Sequence, residues 1–157
     1  AIVDLGTSGT KTVLFDINGK EIASALVEYP MYQPYNGWAA QEPEDWWNAA
    51  MATIRAVIEK SQVNPNDIAG LSLSGQMHGL VLTDENGNAL GRSIIWCDNR
   101  TIESCEEFTR LVGGRERLIQ ISANPALTGF TAGKILWVRK NQPEIWAKAR
   151  HIQMPKE

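Results

Sequence analysis

The opening stretch AIVDLGTSGTKTVLFD places Asp4, Gly6, Thr7, Ser8, Gly9, Thr10 and Lys11 close enough to act on one anion. Two glycines permit unusual backbone angles, so that successive N–H groups converge on a phosphate. Thr7, Ser8 and Thr10 add hydroxyl donors and Lys11 a positive charge. Asp4 suits such a site only with a divalent cation between its carboxylate and the phosphate, which points to Mg²⁺. The same residues also suit a tight polar hairpin whose aspartate caps a turn. Two common nucleotide motifs are excluded. A Walker A loop needs glycine before its lysine and a helix after it, whereas Thr10 precedes Lys11 and the next element reads as a strand. The dinucleotide fingerprint fails because Gly6 and Gly9 have the wrong spacing and no helix follows.

A second constellation is GQMHG, residues 75–79, directly after a strand-like run. Strand ends of open α/β sheets are where ligands bind. Gln76 and His78 can each donate and accept, which suits a polyhydroxyl compound, and Met77 supplies an adaptable apolar wall. By itself, a lone loop histidine is more often structural than functional. Trp96, in IIWCDNR, lies in a loop after another strand. Most of the six tryptophans are expected in the core, and Trp46, Trp47, Trp137 and Trp146 are assigned to packing. Asp98 and Arg100 read either as support for a ligand site or as a surface ion pair. The segment GFTAGK lacks P-loop spacing, so Lys134 is assigned to structure.

Positioning these groups requires a folded α/β domain, and 157 residues with 43% apolar content can build one. The net charge of -3, without a basic stripe, argues against nucleic acid as a partner. Cys97 and Cys105 are spaced too widely for a CxxC pair and read as reduced thiols. No leader or membrane-length apolar run is visible, so a cytoplasmic location is expected. Strands are predicted at 2–4, 12–16 and 21–29, the last two joined by a turn at Asn18-Gly19. A helix starts at Pro43, with Trp46, Trp47, Ala50, Met51, Ile54, Val57 and Ile58 at helical spacing. A buried strand is predicted over 68–74 and another over 80–83, followed by the turn ENGN. Helices are predicted from Ile102 to the Gly113-Gly114 break, then over 115–121, 133–141 and 143–149. This order predicts a mixed sheet with flanking helices.

The order Asp-x-Gly-Thr-Ser-x-x-Lys in the opening loop resembles the first phosphate motif of the actin-like ATPase superfamily. NGWAAQEPEDWW, LSLSGQMHG, IIWCDNR and GFTAGKILWV, in this succession, resemble the FGGY carbohydrate kinases, and GQMHG resembles their xylulokinase branch. The resemblance implies a ribonuclease H-like fold with a mixed five-stranded sheet. It further implies that residues 1–157 are the N-terminal part of the first, sugar-binding domain of a longer kinase, with the rest of that domain and the ATP-binding domain absent. Implied ligands are ATP, Mg²⁺ and a ketopentose, most closely D-xylulose, which would be phosphorylated to its 5-phosphate. Asp4 would hold Mg²⁺, directly or through water, and Gly6, Thr7, Ser8, Gly9 and Lys11 would engage the phosphates. Gln76, Met77, His78 and Trp96 would contact the sugar. The catalytic aspartate of the family belongs to a later motif beyond residue 157, so the chain alone is expected to be inactive and its parent often a homodimer. Ribulose, fuculose, rhamnulose, gluconate and glycerol kinases share the scaffold. A conformational ATPase related to actin or Hsp70, or a free-standing sugar-binding domain, are the readings from other classes.

Overall fold

The computed structural model describes residues 1–157. In chain order the elements are β1 (Ile2–Leu5), β2 (Gly9–Phe15), β3 (Glu21–Glu28), β4 (Ala40–Gln41), α1 (Pro43–Ser61), β5 (Ser72–Gly75), β6 (Val81–Thr83), β7 (Ser93–Ile94), α2 (Ile102–Val112), α3 (Arg115–Ser122), α4 (Thr131–Asn141), α5 (Pro143–Lys148) and β8 (His151–Gln153). They form two compact units, one of residues 1–30, 42–76 and 156, the other of residues 31–41, 77–155 and 157.

The first unit is a four-stranded sheet in the order β3-β2-β1-β5. Strands β1, β2 and β3 form an antiparallel meander, and β5 runs parallel to β1. Helix α1 begins at Pro43, whose missing N–H is no loss in a first turn; Glu44 and Asp45 lie at its positive end and Lys60 in its last turn. Gln62 stops it in the left-handed conformation at φ 56°. The helix buries Trp46, Ala49, Thr53 and Val57. Val57 meets Leu14 and Ala25 of the sheet in an apolar core. Thr12 and Thr53 share a buried hydroxyl–hydroxyl bond of 2.8 Å, so this polar pair is satisfied where helix meets sheet. Trp47, assigned to packing by its helical spacing, is instead 62% exposed, because the buried stripe passes through Trp46 and Ala49 and leaves its neighbour outside.

Two further expectations are corrected. The strand predicted as buried over 68–74 is β5, with exposed Ser72, Leu73 and Ser74. It is an edge strand, and α1 packs over β3, β2 and β1 instead. The sheet has four strands, not five: the strand around Val81–Thr83 pairs antiparallel with β8. All three of its residues are buried in the second unit, where Leu80 and Leu82 pack with Ile94 and Val138, so burial there outweighs extension of the sheet.

The second unit joins β6–β8 and a short β4–β7 ribbon to helices α2 to α5. Helices α2 and α4 pack closely where a Cβ on Gly133 would lie 2.7 Å from Cys105 Sγ. Both cysteines are free, and burial pushes both thiols up, which keeps them protonated at neutral pH. No helix is long and apolar enough to cross a membrane.

The turns DINGK and DENGN are built alike. Asp16 Oδ1 accepts from the amides of Asn18 and Lys20, and Asp84 Oδ1 from those of Asn86 and Asn88. The following glycines, Gly19 and Gly87, adopt φ 81° and 83°, which side-chain-bearing residues rarely do.

Candidate functional site

In the first unit, strand β2 starts at Gly9, so the loop is a two-residue turn, Thr7-Ser8, closed by Gly6 N–H donating to the Gly9 carbonyl at 3.0 Å. The glycines are needed for a different reason from the one expected. Neither has a positive φ. A Cβ on Gly9 would lie 2.7 Å from the Val27 carbonyl oxygen, and one on Gly6 would lie 3.0 Å from the Gly9 carbonyl oxygen. Close backbone approach between the turn and β3 excludes a side chain. The Gly6 amide is already paired, and the Thr10 hydroxyl points inward, donating to Tyr29 from a fully buried position. Of the two turn residues, Ser8 is exposed and Thr7 half-buried.

Asp4 and Lys11 are exposed partners directly across the β1–β2 ladder, on the face away from α1. An anion with its counter-cation could meet both signs of charge there. The Gly6 carbonyl is braced twice, by the Tyr29 hydroxyl and by Gln76 Nε2 at 3.5 Å. Burial pushes the Tyr29 hydroxyl up, against the opposing bond from Thr10, so it remains a donor. Gln76, expected among the sugar contacts, lies in the first unit with its amide donating to the Leu5 carbonyl at 2.7 Å. These bonds tie it to the end of β1 and to the turn that follows.

The second unit carries Met77, His78 and Trp96. Met77 is 68% and Trp96 49% exposed. His78 adopts φ 63°, a left-handed conformation costing about 1–2 kcal/mol for a residue with a Cβ. Its ring meets Phe130 edge to face, with centroids 4.7 Å apart. Gly79 follows because a Cβ there would lie 2.6 Å from Pro155 Cγ. The tight turn and Phe130 thus fix the polar ring of His78, while Met77 and Trp96 expose apolar surface in the same unit; these are the group types that hydroxyls and C–H groups of a ligand would meet.

Asp98 and Arg100 are not a surface pair. The Asp98 carboxylate is fully buried, with Arg100 Nη2 at 2.7 Å and Nε at 2.9 Å, and it also accepts from the Ala39 amide. The guanidinium lies 3.7 Å from the centre of the Trp38 ring and 5.1 Å from that of Trp137. The pair is an internal strut.

Tyr29 and Trp38 carried no role in the sequence reading, and Lys134 only a structural one. Tyr29 has no local signal, since its contact with Gly6 is set by the meander. Trp38 stood in a loop segment. Lys134 could have been found from its place one turn before the buried Val138, which puts both on one helix face.

Comparison with known proteins supplies what the site alone does not. Residues 1–157 match the N-terminal domain of the FGGY family of carbohydrate kinases. The chain is 40% identical over 155 residues to a xylulose kinase of Bacillus subtilis and 39% identical to one of Lactococcus lactis, covering 99% of this chain and 31% and 30% of those proteins. It thus spans about a third of the length of these relatives. Among solved structures, a xylulose kinase from Brucella ovis superposes with a TM-score of 0.91 at 34% identity, over 98% of this chain and 32% of that one. A gluconate kinase from Lactobacillus acidophilus gives a TM-score of 0.88 at 29% identity, over 99% and 31%. The mixed sheet, its helices and the order of motifs are those of one family: this chain belongs to the FGGY family of carbohydrate kinases.

Proposed function

We propose that the chain is the N-terminal part of the sugar-binding domain of a cytoplasmic ketopentose kinase, which transfers the γ-phosphoryl group of ATP to D-xylulose. The observation that carries this reading is the 40% identity to a xylulose kinase across nearly the whole chain. The exposure of Met77 and Trp96 and the left-handed backbone of His78 agree with it. In this reading His78 orients the sugar hydroxyls while Met77 and Trp96 cover its apolar face. Gln76 acts through the Gly6 carbonyl, as a positioning residue of the phosphate turn.

Thr7, Ser8, Gly9 and Lys11 engage the terminal phosphates, with the Gly6 amide reserved for closing the turn. Mg²⁺ commonly takes one or two protein carboxylates and completes its shell with water and phosphate oxygens. The single exposed carboxylate of Asp4 fits that use, and no cluster of three or more acidic, histidine or cysteine ligands is present to form an all-protein cage. The metal would neutralise phosphate charge. Phosphoryl transfer also requires a group to take the hydroxyl proton, and that carboxylate is expected from a later segment of the full-length polypeptide. The 157 residues alone are therefore inactive.

The test is phosphorylation by the full-length polypeptide across D-xylulose, ribulose, gluconate and glycerol. The highest kcat/KM is expected for D-xylulose, with His78→Ala raising the ketose KM about tenfold or more and the ATP KM about twofold or less. Equal effects on both substrates would remove the sugar role of His78. A preference for gluconate would support the second reading, which rests on the gluconate kinase superposition.

A further inference from the structure

Lys134 heads the fully buried side chains of the molecule in size and has no exposed surface. Its ammonium donates to two backbone carbonyls, those of His78 and Gly129, each at 2.6 Å. Asp98 opposes the cost of burying the charge from longer range, without direct pairing. Burying an ammonium costs several kcal/mol, and Met of similar length would fill the space without that cost. What Met cannot do is hold two carbonyls together.

Those carbonyls belong to the two segments that frame the sugar candidates. His78 is the strained residue, and its carbonyl also accepts from the Thr131 hydroxyl at 3.3 Å. Gly129 packs against Trp96, since a Cβ there would lie 3.1 Å from the Trp96 carbonyl oxygen. Phe130, between Gly129 and Thr131, carries the His78 ring. One ammonium thus links the segment that presents His78 to the segment that abuts Trp96.

We propose that Lys134 is a positioning residue for sugar recognition, its ammonium clamping the His78 and Gly129 carbonyls so that His78 and Trp96 keep one arrangement toward the substrate. The proposal rests on the reading that His78 contacts the sugar. It differs from a purely structural role in its consequences. A lysine that only stabilised the fold would, when replaced, affect both substrates alike.

The experiment compares Lys134→Met, Lys134→Arg and His78→Ala in the full-length polypeptide, with steady-state kinetics and thermal melts. Lys134→Met is expected to raise the ketose KM about tenfold and leave the ATP KM within about twofold. Lys134→Arg, which retains donors, should recover part of the ketose affinity. If His78→Ala raises the ketose KM but Lys134→Met does not, the clamp is overturned while the sugar reading stands; if His78→Ala itself leaves the ketose KM unchanged, the sugar reading falls first. If Lys134→Met does not fold, amide exchange in the unmutated protein decides. The Leu80 and Phe130 amides, bonded to the Ile94 and Leu127 carbonyls, flank the two clamped segments. Held by one ammonium, they should open together, with protection factors agreeing within about threefold, and a difference of about tenfold or more overturns the proposal.

Discussion

The hydroxyl of Tyr29 donates to the carbonyl of Gly6, 23 positions earlier in the chain. Tyr29 follows β3 directly, so the antiparallel meander brings its ring to the turn, and its amide donates to the Ser8 carbonyl at 3.4 Å. Two bonds from one residue therefore hold both ends of the Thr7-Ser8 turn. Tyr29→Phe should keep the ring and remove one of them. A typical loss of about 1 kcal/mol predicts an ATP KM raised about fivefold in the full-length polypeptide, with little change for the sugar. Separate titrations of ATP and ketose check it, and an unaltered ATP KM would separate the tyrosine from the nucleotide turn.

Gly9→Ala addresses the reason for glycine in this turn. A loop glycine chosen for its dihedral freedom would tolerate alanine badly through strain, but Gly9 has no positive φ. The obstacle is the Val27 carbonyl oxygen, 2.7 Å from the new Cβ, with Glu28 Cα at 3.1 Å. Both are backbone atoms of a paired strand and cannot swing aside. Overpacking of this kind costs about 1–3 kcal/mol, to be read as a lowered denaturation midpoint. An unchanged midpoint would mean that β3 yields freely.

The elements were more legible than the contacts between them. The start of α1 follows from Pro43 and its acids, and the end of α2 from Gly113-Gly114, because caps and breakers act on neighbouring residues. Trp47 was misassigned because a helical repeat containing adjacent tryptophans does not reveal which one faces the sheet. The partner of Val81–Thr83 is β8, about seventy residues later, and nothing within the strand specifies a partner so distant. At the site, the residue types of GQMHG left a structural histidine and a ligand loop both open, and only the family resemblance favoured the ligand loop. The division of labour within it, with Gln76 bonded to the turn after β1 and His78 to α4, depends on tertiary contacts.

Asp98→Asn should be severe for the fold. The carboxylate is fully buried and takes several donors, while Arg100 is held against Trp38. Removing one charge leaves the other buried without compensation, at a cost of about 3–5 kcal/mol. Chemical denaturation of wild-type and variant measures it. A loss below about 1 kcal/mol would class the pair with surface ion pairs.

The buried Lys134 also predicts how stability changes with pH. Desolvation pushes its ammonium down to about 8 from the ordinary 10.5, opposed by Asp98. Between those values the unfolded chain binds more protons at this position than the folded one, so raising the pH favours folding. The contribution is complete above the unfolded value and is lost as the pH falls through about 8. Between pH 8 and 9 this amounts to about 1 kcal/mol, before the raised thiols of Cys97 and Cys105 ionise. Urea denaturation across that interval should show the gain in the wild type and its absence in Lys134→Met. Parallel curves for both proteins would mean that another group supplies the pH dependence.

Asp4→Asn tests the metal at the other unit. Asp4 faces Lys11 across the ladder on exposed surface, so the change is not expected to disturb the core on the opposite face. Asparagine retains an oxygen but no charge, and a hard divalent cation prefers the carboxylate. In the full-length polypeptide, kcat should fall about tenfold or more and half-saturation by Mg²⁺ should move to higher concentration, while the ketose KM stays close to wild type. Lys11→Gln separates the two charges: it should weaken ATP without moving the metal titration. If Asp4→Asn lowers kcat but leaves the Mg²⁺ curve in place, the carboxylate acts through the turn and not through the ion.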